Sequence, residues 1–224
     1  MSATSTKAIK NIIEYWFGGD ESDVIEGRNG FWFGGGGEVD SEVDSEVDSE
    51  VDRQIKDQFF TLVVDAKQQK LDDWDSWVNT AKGSLAVILL LDQFTRNIYR
   101  GNAEAFTSDN LARSICLHGL KQGFDQQLSS SEKIFYYLPL EHSELIADQK
   151  TSVELFKQLA ESADKKHNGQ YRELFASYID YAVIHYEIIK SYGRFPHRNA
   201  LLGRESTAAE LKYLSHGGHT FGQD

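Results

Sequence analysis

SLAVILLLDQFTRNIYRG, Ser84 to Gly101, is apolar at every position from Leu85 to Leu91 and then keeps helical spacing through Phe94, Ile98 and Tyr99. A strand would suit the aliphatic run alone, but about four turns of three-and-four spacing closed by a glycine select a helix. A helix that starts apolar on every side is buried all round at that end, so this segment is the expected centre of the molecule.

Both flanks repeat helical patterning. Ile9, Ile12, Ile13 and Trp16 predict a helix over about Thr6 to Trp16, stopped by Gly18 and Gly19, and Ile55, Phe59, Leu62, Val63 and Ala66 predict a second. Trp74 and Trp77 read as core indoles on a short turn. Downstream, Leu111, Ile115 and Leu120 mark a helix within 108–123, and Ser129 with Glu132 forms a capping box ahead of Ile134, Phe135 and Leu138. Pro139 is expected to kink or restart that helix. Leu145 to Leu159 extend the register toward Lys166, and Tyr171 to Tyr192 give the longest amphipathic stretch, ended by Gly193. Thr207 with Glu210 makes a second capping box before Leu211, and residues 215–224 read as a frayed tail. The expectation is an all-α, single-domain multi-helix bundle over residues 1–224.

Residues 18–53 interrupt this pattern and read as a Gly/acidic loop with a low-complexity insertion. Phe31, Trp32 and Phe33 should anchor it as an aromatic plug. Gly34 to Gly37 lack the preceding strand and following Gly-Lys-Ser/Thr of a phosphate loop. EVDSEVDSEVDSEVD, Glu38 to Asp52, would place its valines on one slowly drifting helical stripe, but like charges at i, i+4 oppose a helix. It lacks the ligand spacing and central glycine of a calcium loop.

That stretch supplies eight of the acids behind a net charge of −12 over 224 residues; without it the balance is −4, and no Lys/Arg-rich stripe is present. Nucleic acid is therefore not an expected partner. The longest aliphatic run falls far short of the ~20 residues that span a bilayer, and the start lacks a signal-peptide apolar segment, so neither membrane insertion nor export is expected. Cys116 is the single cysteine, which fits a reducing cytoplasm.

Polar residues on expected apolar faces mark the candidate site. Asp92, Gln93, Arg96, Asn97 and Arg100 follow the buried run, with Asp92, Arg96 and Arg100 on one face by i, i+4 spacing; a local Asp92–Arg96 pair is the plainer reading. In YLPLEHSE, His142 lies four after Leu138 and three before Leu145, on the apolar stripe, with Glu141 beside it. His185 falls on the apolar face between Tyr181 and Ile188, and RFPHRNALLGRE adds Arg194, His197, Arg198, Asn199 and Arg204. One such histidine is more often a satisfied core residue. Two of them with an arginine-rich turn point to a shared polar pocket, because buried polar groups need partners. Its arginines suit a small carboxylate or phosphate ligand, and His142 or His185, oriented by Glu141 or Asp92, suits acid–base work. His142 and Glu144 on one helix would point about 200° apart, so no metal is expected, nor any other cofactor.

LLLDQFTRNIYRG (Leu89 to Gly101), YLPLEHSE (Tyr137 to Glu144), Ala147-Asp148-Gln149 with the following S-V-x-L-F, and YGRFPHRNALLGRES (Tyr192 to Ser206) together resemble the bacterial domain-of-unknown-function 924 family. The early Y-W-F-G and F-W-F-G segments are similar to it too, so the resemblance covers almost the whole chain. It implies a tetratricopeptide-repeat-like helical fold and assigns no activity. By fold analogy, stacked helix pairs could instead serve as a protein- or peptide-binding module.

Overall fold

The structure, a computed structural model, describes residues 2–19, 22–33 and 41–222, without the side chains of 41–49; Gly34 to Gly37 and the opening Glu38 to Asp40 of the EVDS stretch lie outside the described residues. Among the described residues there are helices and turns but no strand, so the fold is all-α as the periodicity predicts.

Helix α1 (Ala3–Phe17) begins where the Ser2 side chain accepts from the Ser5 N–H, and ends at Gly18, whose φ of 79° favours glycine. Its buried face is Ile9, Ile12 and Trp16. Helix α2 (Asn29–Phe33) carries the aromatic plug. Trp32 Nε1 and Arg28 Nε both donate to the Trp16 carbonyl at 2.8 Å, and Arg28 Nη2 donates to the Tyr15 carbonyl at 2.7 Å. These bonds satisfy carbonyls that the end of α1 leaves open.

Helix α3 (Ser41–Lys67) departs from expectation: the acidic segment read as loop is helical from Ser41 onward. Repulsion between like charges costs only a few tenths of a kcal/mol per pair, and the helix propagates from a packed half that buries Ile55, Phe59, Val63 and Ala66. Asp52, inside the repeat, binds Arg100 and Asn97.

Helix α4 (Trp74–Val78) leads into the central rod, which has three parts: α5 (Ala81–Ile88), a π-helical turn (Leu89–Phe94) and α6 (Thr95–Ile98). Every residue from Gly83 to Arg96 is buried. Around it lie α1, α3, α7 (Asp109–Gln122) and α8 (Ser130–Glu141), while α9 (Ile146–Lys166) and α10 (Arg172–Tyr192) pack on α8 and on each other, and α11 (Ala208–Ser215) follows. Both expected capping boxes form, Ser129 with Glu132 and Thr207 with Glu210. Pro139 neither restarts nor ends α8, which runs two residues past it and forgoes only the bond that a residue 139 N–H would make to the Phe135 carbonyl.

Trp16 ties the layers together, with its ring 5.4 Å from both Phe94 and Phe135, while Trp32 sits 4.9 Å from Phe135. A smaller cluster of Ile188, Ile189 and Phe195 packs with Tyr192, Tyr213 and Phe221. The tail is therefore not frayed as far as Gly222. The Gly222 carbonyl accepts from Arg100 Nη1 at 2.8 Å, the His219 N–H donates to Tyr213 Oη at 2.9 Å, and Phe221 folds back onto α10.

Candidate functional site

The π turn places Asp92 where an α-helix would not. Its i→i+5 closure inserts one extra residue, and such turns recur at functional sites. Asp92 is fully buried. His142, the residue that caps α8, brings Nδ1 to 2.8 and 3.0 Å from the two Asp92 carboxylate oxygens. Gln93 Nε2 donates to Asp92 Oδ2 at 2.5 Å. Arg96 Nη1 lies 3.2 Å from Asp92 Oδ1, so the local pair anticipated from i, i+4 spacing exists.

Arg96 also has a distant partner. Its Nη1 and Nη2 donate to Asp109 at 3.1 and 3.2 Å, and Arg198 Nη1 donates to the same carboxylate at 3.1 Å and to the His142 carbonyl at 3.2 Å. Arg198 is held between the rings of Phe195 and Phe106, 4.4 and 4.7 Å from their centroids. Burial pushes its guanidinium down to about 10, which still leaves it charged at neutral pH.

The second imidazole stands next door, with the His142 and His185 centroids 6.0 Å apart. His185 Nδ1 is 2.8 Å from the Tyr181 carbonyl and 3.2 Å from Glu141 Oε1.

Electrostatics fix the protonation states. Burial would raise the Asp92 carboxyl, but Arg96 and His142 outweigh it and hold the group well below the usual carboxylate range. Burial and the Asp92 charge push Glu141 up to about 8, so it is protonated at neutral pH. Burial lowers His142, although Asp92 opposes this, and burial carries His185 well below its ordinary value. A neutral His142 bonded through Nδ1 to an ionised carboxylate must donate there, which leaves the lone pair on Nε2. That Nε2 makes no hydrogen bond to a described residue. Donation from His185 Nδ1–H to the Tyr181 carbonyl fixes the same tautomer in the second ring.

Thus Asp92, Gln93, Arg96, Glu141, His142, His185, His197 and Arg198 gather in one cluster built from the central rod, the end of α8, α10 and the turn after it. The other expected site residues do not join it. Arg100 and Asn97 bind Asp52, because α6 ends at Ile98 and Tyr99 leaves helical geometry, carrying Arg100 off the Asp92–Arg96 face. Arg194 is chelated by Glu210 at 2.6 and 2.8 Å. Arg204 chelates Glu144 and accompanies Asn199, bracing the 193–206 turn. Sequence reasoning missed Asp109, Phe106 and Phe221. Asp109 opens α7 as an ordinary first-turn acid, so nothing local singles it out.

Two pockets of about 270 and 340 Å³ lie away from the cluster, lined by residues such as Trp74 and His118, and Ile9 and Lys82. Among the described residues no group of three or more His, Cys, Asp or Glu side chains is arranged to hold a metal ion, and no helix is long and apolar enough to cross a membrane.

No curated protein matches the chain. A solved structure from Agrobacterium tumefaciens, described as a protein of unknown function, ATU0120, is similar at 31% identity and a TM-score of 0.71, over 95% of this chain and 99% of that one. Residues 12–218 match the family described as "Bacterial protein of unknown function (DUF924)", and with nearly the whole fold inside that match, the chain belongs to this family.

Proposed function

We propose that the cluster is a site for a small anionic molecule, with His142 as its acid–base group and Arg198 as its main source of positive charge. One observation carries the reading: a buried carboxylate orients His142 through Nδ1 and leaves Nε2 unbonded, beside two buried arginines. A carboxylate-oriented imidazole is an ordinary way to prepare a base near neutral pH. Asp92 positions His142, and Asp109 holds Arg96 and Arg198 together. With Glu141, His185 and His197 neutral, the charges of Asp92 and Asp109 are balanced by Arg96 and Arg198. An entering anion therefore favours protonation of an imidazole, which couples binding to proton uptake. Peptide binding rests on fold likeness alone.

The test is a thermal-shift screen of small carboxylates and phosphates on the full chain, His142→Gln and Arg198→Lys. A ligand at one hundred times its dissociation constant adds about 2.7 kcal/mol of stability. The expected result is stabilisation of the wild type, weakened in Arg198→Lys, with a pH dependence of binding that His142→Gln removes. Failure of every anion to stabilise the wild type, or equal responses from all three proteins, defeats the reading.

A further inference from the structure

Phe221 occupies the most aromatic corner of the cluster. Its ring lies 4.0 Å from that of His185 at an interplanar angle of 24°, a stacked pair, while His197 meets it at 5.4 Å and 65° and Phe195 at 6.4 Å and 82°. The floor is thus one imidazole and the walls are two further rings. The tail is tied on either side of it by the bonds of the His219 N–H and the Gly222 carbonyl, and His219 stacks on it at 5.6 Å and 19°, yet Phe221 itself adopts a φ of 56°, a left-handed conformation that disfavours an aromatic residue. A planar seat exists, and a strained residue of a glycine-rich tail fills it.

Two buried polar atoms nearby lack partners, one on the His197 ring that meets Phe221 and one on the guanidinium stacked over Phe195. Arg198 Nε and His197 Nδ1, on consecutive residues, make no hydrogen bond among the described residues, although Arg198 is only 6% exposed. An unsatisfied buried donor costs roughly 1 to 3 kcal/mol, so a polar group that enters and bonds to it recovers real energy. His185 is neutral, so its face offers a flat apolar surface more than a cation.

We infer that Phe221 is a placeholder: its seat on His185 receives the planar ring of an aromatic carboxylate, whose carboxylate takes the open hydrogen bonds of Arg198 and His197. The tail must swing out for that ligand to enter, and it closes the site when no ligand is bound. This deepens the anion-site reading by naming the ligand class.

Benzoate is the probe, with acetate as the anion lacking a ring. Titration calorimetry on the full chain should give benzoate binding about three- to tenfold tighter in Phe221→Ala than in the wild type, the range that loss of one aromatic stack predicts. Phe221→Tyr, which keeps the ring, should match the wild type, and acetate should not respond to Phe221→Ala. Diethyl pyrocarbonate should modify His185 faster in Phe221→Ala, and saturating benzoate should restore protection. Equal benzoate affinities in the wild type and Phe221→Ala, no benzoate binding by Phe221→Ala, or no protection of His185 each overturns the proposal. If other anions stabilise the chain through Arg198 while benzoate ignores Phe221, the ring seat falls and the anion site stands. If benzoate behaves as expected while His142→Gln leaves the pH profile of binding unchanged, the seat stands and the acid–base role falls.

Discussion

Replacing Glu141 by Gln should change stability in a way that depends on pH and on little else. The carboxyl sits near 4.5 in the unfolded chain and is pushed up to about 8 in the folded one, by burial first and by the Asp92 charge second. The folded state therefore holds this proton more tightly. The stability it contributes is complete below pH 4.5, erodes as pH rises, and is gone above about 8. Between those limits the loss approaches about 1.4 kcal/mol per pH unit. Gln is close in shape and never ionises, so it is free of that loss. Urea unfolding followed by tryptophan fluorescence, at pH 5.5 and 7.5, should show the stability of Glu141→Gln relative to wild type rising by about 2 to 3 kcal/mol over the interval. The side chain is only 5% exposed, so solvent screening removes little of this. A difference that stays flat to within about 0.5 kcal/mol would refute the reasoning. It would mean that Glu141 is already ionised and that His185, 3.2 Å away, carries the compensating proton.

Two further outcomes follow from packing. Gly83→Ala should destabilise by about 2 kcal/mol or more in the same assay, because a Cβ there would stand 2.3 Å from the Trp77 carbonyl oxygen, a backbone atom that cannot swing away. The gain in helix propensity, about 1 kcal/mol, is too small to offset that. Cys116 should resist a thiol reagent such as Ellman's in the native protein and react in urea, since it is fully buried and burial raises its thiol far above the usual range; rapid native labelling would contradict the placement of α7.

The helices were legible because their stop signals are local: Gly18 and Gly193 end α1 and α10, and the two Ser/Thr-to-Glu boxes start α8 and α11. His142, His185 and Arg198 were legible as polar groups on apolar faces or in a charged turn. What escaped depends on distance along the chain. Asp52 claims Arg100 from 48 residues away, and Glu144 claims Arg204 from 60, so spacing could not divide the five arginines into site and scaffold. Phe221 escaped because a single ring among glycines has no register to read. The helix through the acidic repeat from Ser41 onward escaped because tertiary packing of the C-terminal half of α3 outweighs local repulsion.

The widened turn at Leu89–Phe94 also bears on how the chain can change in length. The rotation of one residue, about 100°, is taken up within it, so the residues that follow stand where an α-helix one residue shorter would place them. Deleting one residue within it would let the rod close into regular α-geometry without removing an apolar layer or breaking a cap. The two ends of the rod would keep their relative orientation, and the residues of the turn itself, Asp92 among them, would shift off their partners. Insertions and deletions are usually absorbed by loops; in this molecule one extra residue is absorbed in the middle of its most hydrophobic helix, where it sets the position of Asp92.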